Sequence, residues 1–213
     1  MAMTPITTTA RINEQTALVL AYYGYDQSGT EPADLKATLG AWIPIDSVNN
    51  LEGNKLVTSL GDGDNLQHAG GDVNGTVENS FSVYVNPDTN QIGFVFKGAT
   101  ATSNWISVMT NGGASEFAKI EQQAQMAYEQ LKLEYPGFQI TAIGHSMGGG
   151  FAQSFAVRNG LDAQVVNSLP IAYGTINSGY FDEVGGYNSG QADWMSDGHI
   201  IQDVRSPNDI ATF

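Results

Sequence analysis

The sequence predicts an α/β fold: a mostly parallel sheet fed by an antiparallel hairpin, with helices on both faces. Three observations predict it. "FSVYV" and "QIGFVFKG" are strand-like runs on either side of the turn "NPDTN", which is a hairpin signal. A helical pattern from Ser115 to Tyr135 is followed by the short apolar strand "FQITAIG". That strand runs into "HSMGGGFAQSFAVRNG", where helical periodicity resumes.

Taken in order, residues 10–24, "ARINEQTALVLAYYG", read as a helix with Ile12, Leu18 and Tyr22 at near-helical spacing. Residues 25–80 are rich in Gly, Asp and Asn and read as loop with short strands. Asp62, Asp64 and Asn65 suggest calcium ligands, but the glycine and distal glutamate of an EF-hand loop are misplaced. A solvated loop is the expectation there, and no metal or other cofactor is called for. Between Ser115 and Tyr135, Phe117, Ile120, Ala124, Tyr128 and Leu131 fall on one face, and "YPG" stops the helix. The next helix runs through Met147, Phe151, Phe155 and Ala156 and ends on Asn159-Gly160. "AQVVNSLPI" and "HIIQDV" are further strand candidates. With no internal repeat and no linker, residues 1–213 read as a single domain.

Composition removes several classes of function. Eight basic residues face 22 acidic ones, a formal net charge of −14. Such a surface repels phosphate backbones, and no Lys/Arg cluster offsets it, so nucleic acid is excluded as a partner. The same charge opposes simple adhesion to anionic membranes. Without cysteine there is no disulfide, thiolate metal site or cysteine nucleophile. The opening "MAMTPITTTARINEQ" has no basic segment followed by an apolar run, so no cleavable signal peptide is expected. No apolar stretch approaches the roughly 20 residues that span a bilayer. An acidic, cysteine-free, Gly/Asp/Asn-rich chain suggests secretion or effector delivery without a cleavable signal, with a cytoplasmic location as the alternative.

The chemistry concentrates in "TAIGHSMGGG", residues 141–150. Gly144-His145-Ser146-Met147-Gly148 fits G-x-S-x-G between a strand and a helix, the context that motif requires. A serine on so tight a turn adopts a strained backbone, and side chains two residues either side would collide with neighbouring elements. Glycine at both places removes the collision. Ser146 is then held at the C-terminal edge of the sheet, where the amide of Met147 and the positive end of a helix face it. A phosphate cradle would need G-x-x-x-x-G-K-[ST] or G-x-G-x-x-G, and neither is present. His145 is expected to turn away from Ser146 and pack as a hydrogen-bonded imidazole.

"ITAIGHSMGGGFAQSFA" resembles the elbow of the class 3 (fungal-type) triacylglycerol lipases and their bacterial phospholipase A1-like relatives in the α/β-hydrolase superfamily. Upstream, "FKGATATSNW", residues 96–105, is similar to the family's F-R-G-T-x-S-x-x-D-W segment. Lys97 stands for the arginine, Asn104 for the aspartate, and Ala99 for the threonine or serine of the oxyanion hole. Ala99 keeps only the backbone N–H of that donor, and Thr100 beside it can supply a hydroxyl. "HIIQDVRSPNDIATF" resembles the strand leading into the acid loop, with Asp209 in the position of the triad acid. The resemblance covers roughly residues 78–213 and implies an α/β-hydrolase fold with no cofactor. It also implies a serine carboxylic-ester hydrolase, a lipase or phospholipase A1-like enzyme, acting on a lipid or small ester with transient contact to a membrane surface. Trp105, Ile106 and Met109 follow the oxyanion segment where the family carries a lid, so they are expected to cover or line an acyl pocket; plain core is the alternative.

A serine triad also needs a histidine, and there are three: His68, His145 and His199. His68 precedes the serine, whereas α/β-hydrolases run serine, acid, histidine along the chain. His199 has the right order only with Asp182, Glu183, Asp193 or Asp197 as its acid, and it opens an apolar run that reads as a strand. The family histidine falls some tens of residues after the acid. The expectation is therefore a catalytic histidine beyond Phe213, on a C-terminal segment or a second chain. Two other readings stand beside the hydrolase. One is a catalytically incomplete hydrolase-fold module of a larger secreted protein; the other is an acyltransferase using the same residues.

Overall fold

The computed structural model describes residues 11–23, 39–44, 81–99 and 102–205. Its centre is a six-stranded sheet in which every strand pairs with its neighbours in sequence, in the order β1 to β6. The strands are β1 (Ile43–Pro44), β2 (Phe81–Asn86), β3 (Gln91–Phe96), β4 (Gln139–His145), β5 (Asp162–Val166) and β6 (Ile201–Val204). β2 runs antiparallel to both β1 and β3, and β3 to β6 are parallel. The fold is the α/β arrangement that the sequence predicts, with a hairpin feeding a mostly parallel sheet.

The hairpin turns where Asn86 accepts hydrogen bonds through Oδ1 from the amides of Asp88 (3.1 Å) and Thr89 (3.3 Å). An Asn side chain that mimics a turn in this way ends the strand locally. Asn90 completes the reversal with φ 53°.

Alternation along the strands divides the interior in two. Phe81, Val83 and Val85 of β2 and Ile92, Phe94 and Phe96 of β3 face the larger core. Covering them are α3 (Ala114–Glu134) and α4 (Met147–Asn159), through Phe117, Ile120, Ala124, Leu131, Phe151 and Phe155. The aromatic rings stack directly, Phe94 on Phe81 and on Phe155, each pair with centroids 4.8 Å apart. Burying each such ring contributes about 1.5–3 kcal/mol from area alone. The opposite face carries Tyr84, Val95 and Ile143 and is covered by α1 (Glu14–Tyr23) with Trp42. Asn13 caps α1 by accepting from the amide of Thr16 at 2.9 Å.

Two further helices and a 3-10 turn lie on the larger-core side after β5. They are α5 (Tyr173–Ile176), the 3-10 helix Gly179–Val184 and α6 (Tyr187–Ser196). α2 (Thr102–Asn111) sits between the segment carrying Ala99 and α3. α4 ends as expected on Gly160, which is left-handed at φ 62°. The strand expected over "AQVVNSLPI" is shorter than that run: it stops at Val166, because Asn167 takes φ 43° and turns the chain. Among the described residues no helix is long and apolar enough to cross a membrane.

Candidate active site at the end of the fourth strand

β4 delivers Ser146 to the C-terminal edge of the sheet, and α4 begins at the next residue. Ser146 sits at φ 54°, ψ −124°. Few non-glycine residues adopt such a backbone, which costs of order 1–3 kcal/mol and persists only where its surroundings over-determine it. Those surroundings are visible. The Ser146 amide donates to the Val166 carbonyl at 3.1 Å, and its own carbonyl accepts from Gly149 and Leu169, both at 3.0 Å.

The flanking glycines are required by close approach. A Cβ on Gly144 would meet the carbonyl oxygen of Gly148, and one on Gly148 would meet the carbonyls of Phe96 and Lys97. All of these obstacles are backbone, which cannot swing aside. The second contact also seats the first turn of α4 against the end of β3, where Lys97-Gly98-Ala99 begins. The elbow and the segment carrying Ala99 are thereby brought together.

Ser146 is 6% exposed, and among the described residues its hydroxyl has no hydrogen-bond partner. The amides of Met147 and Gly148 lie in the first turn of α4, where no intrahelical acceptor exists. The helix directs its positive end at the same place. A hydroxyl held beside amides without an intrahelical acceptor suits nucleophilic attack with stabilisation of the resulting oxyanion. The Met147 side chain is fully buried, so the residue is fixed by packing. Ala99 is half-buried against the larger core. Lys97 is buried, and desolvation lowers the pKa of its ammonium below the ordinary lysine value.

Thr100, Asp209 and His68 lie outside the described residues, as do Asp62, Asp64 and Asn65. Trp105 falls within α2, with Ile106 and Met109 beside it at 59% and 85% exposure. These two side chains belong to the surface of α2 and contribute nothing to either core.

His199 is held at the other end of the sheet. Its Nδ1 lies 3.5 Å from Asp162 Oδ1, and its ring stacks on Trp194 with centroids 6.0 Å apart. Asp162 opens β5 and pairs in register with Thr141, five residues before Ser146. At about 3.3 Å per residue that offset is roughly 16 Å, well beyond hydrogen-bond reach. The partner of His199 is none of Asp182, Glu183, Asp193 or Asp197. His145 is half-buried at the end of β4, and alternation gives it the face of Ile143, under α1. Among the described residues no group of His, Cys, Asp and Glu could hold a metal ion.

One part of this environment escapes the sequence reading. Residues 167–169 form a loop gripping Ser146, although they read as the continuation of a strand. Asn167, Ser168 and Pro170 are turn formers, and that was the available signal.

Comparison with solved structures places the fold among those of fungal lipases. Lipase II from Rhizopus niveus superposes with a TM-score of 0.58 at 12% identity, over 92% of this chain and 71% of its own. The Lip2 lipase from Yarrowia lipolytica gives 0.55 at 16% identity, over 93% and 71%. At such identities the likeness is one of fold. Comparison with curated proteins gives no match. A family model described as alpha/beta hydrolase of unknown function (DUF915) matches residues 59–191, well over half of the chain. With the elbow, the sheet order and that match together, the chain belongs to this alpha/beta-hydrolase family.

Proposed function

We propose that the protein is a serine carboxylic-ester hydrolase acting on a lipid or small ester, with Ser146 as nucleophile. The observation that carries this reading is the strained backbone of Ser146 at φ 54°, ψ −124°, fixed between two glycines whose side-chain positions are filled by backbone. A turn with only a packing role has no need of that strain. Ser146 attacks the acyl carbonyl, and the amide of Met147 with that of Ala99 or Thr100 holds the oxyanion. Asp209 orients the imidazole that takes the serine proton. The position of His199 supports assigning that imidazole to a histidine outside the described residues, on a C-terminal segment or a second chain. A neutral or zwitterionic lipid suits the acidic surface better than an anionic one. Ile106 and Met109, exposed on α2, are suited to touching an acyl chain or a lipid surface.

A fluorophosphonate probe tests the proposal, because it phosphonylates only an activated serine. Covalent labelling at Ser146 with hydrolysis of a short-chain ester is expected, both lost in Ser146→Ala. A chain that stays folded and unlabelled favours the interaction-module reading. Acyl transfer to an added alcohol in preference to water favours the acyltransferase.

A further inference from the structure

We propose that Asp203 and Arg205, at the end of the strand beyond β5, are positioning residues for the nucleophile, acting through the peptide groups of Ser168. The inference rests on reading Ser146 as the nucleophile. The Ser168 amide donates to Asp203 Oδ1 at 3.4 Å, and its carbonyl accepts from Arg205 at 3.3 Å. Arg205 and Asp203 also pair with each other, so both sides of one residue are held by one ion pair. From the other side Gln153 donates to Ser168 Oγ (2.6 Å) and to the Leu169 carbonyl (2.9 Å). Asn167 donates from its amide to the Val204 carbonyl at 2.9 Å.

The loop held in this way is the loop that holds Ser146. Val166 accepts from the Ser146 amide, and Leu169 donates to the Ser146 carbonyl. A backbone at φ 54°, ψ −124° relaxes when its restraints slacken, and only Asn167 and Ser168 lie between those two contacts. The half-exposed position of Arg205 makes the pair a weak contributor to global stability. Its effect is local: it fixes where the serine hydroxyl and the Met147 amide stand relative to each other. A displacement of about 1 Å in such geometry can cost as much as a hundredfold in rate, so a smaller shift here is expected to cost about tenfold.

The test is the saturation kinetics of fluorophosphonate labelling, run on the wild type and on Asp203→Ala, Arg205→Ala and Asp203→Asn. The inactivation rate constant is expected to fall about tenfold in both alanine variants, with the probe's binding constant unchanged. Asp203→Asn keeps an acceptor for the Ser168 amide and is expected to recover most of the rate. Amide exchange across residues 145–149, followed by mass spectrometry, is expected to quicken in the alanine variants at unchanged melting temperature. Equal labelling and equal exchange in all four proteins overturns the proposal, as does a loss of melting temperature with both readouts unaltered. A wild type that does not label overturns the reading of Ser146; exchange at 145–149 then still decides whether the two residues fix the elbow.

Discussion

A single backbone conformation, that of Ser146, connects the local chemistry to everything around it. Its hydroxyl carries no hydrogen bond among the described residues and alanine keeps the buried Cβ, so Ser146→Ala is expected to leave the melting temperature within a degree or two. Ester hydrolysis should fall by several orders of magnitude. Gly148→Ala makes the contrasting prediction. The added methyl meets the carbonyls of Phe96 and Lys97, so a loss of about 1–3 kcal/mol is expected by denaturant unfolding, with activity lost as well. At this scale the sequence is legible because the requirement is steric: only glycine fits beside the turn, and G-x-S-x-G records it. Ser168 was not legible, because its role comes from two residues at the end of another strand that meet it only after the sheet has formed.

Among the elements, α2 differs most from its neighbours. It follows the segment carrying Ala99, ends at the left-handed pair Gly112-Gly113, and exposes Ile106 and Met109. Ser107 ties it to α3 through a hydrogen bond with Ser115 (2.8 Å), and braces its own last turn by donating to Asn111 (3.0 Å). Trp105→Ala is expected to shift acyl-chain preference in a series of p-nitrophenyl esters more than it shifts the melting temperature. A collapse of the melting temperature with preference unaltered would mark Trp105 as core. The hairpin, α3, β4 and α4 are readable in the sequence because each shows a long unbroken period and a clear stop. The stretch from Tyr173 to Ser196 is not, since α5 has only four residues and α6 opens on a glycine cap with a glycine inside it. Its structure is imposed by packing of Tyr180, Phe181 and Trp194 on the larger core.

For the molecule as a whole, the separation of His199 from the elbow predicts that His199→Ala leaves probe labelling of Ser146 unchanged. Labelling abolished by that substitution would return the histidine to the site. A second prediction concerns high pH. Burial raises the phenols of Tyr128 and Tyr180 above the ordinary tyrosine value and pushes Tyr135 up to about 12. The folded protein therefore keeps these protons where the unfolded chain has lost them. Stability is full below the ordinary value of 10.0 and declines as pH rises from there towards about 12. Urea unfolding midpoints across that window should drop with pH, and Tyr135→Phe should flatten the drop. The strand order has a consequence for biosynthesis. Each strand pairs with the one made before it, so the sheet can be assembled in step with translation. The helix α1 cannot keep that order. It is made before the strands, yet its seat includes Ile143 of β4, and the segment leading into it is held by β5: Gln164 donates to the Ile12 carbonyl and Asp162 pairs with Arg11. Until β5 leaves the ribosome, Tyr84 and Val95 wait uncovered on one face of a growing sheet, and it is there that a chaperone would find this chain.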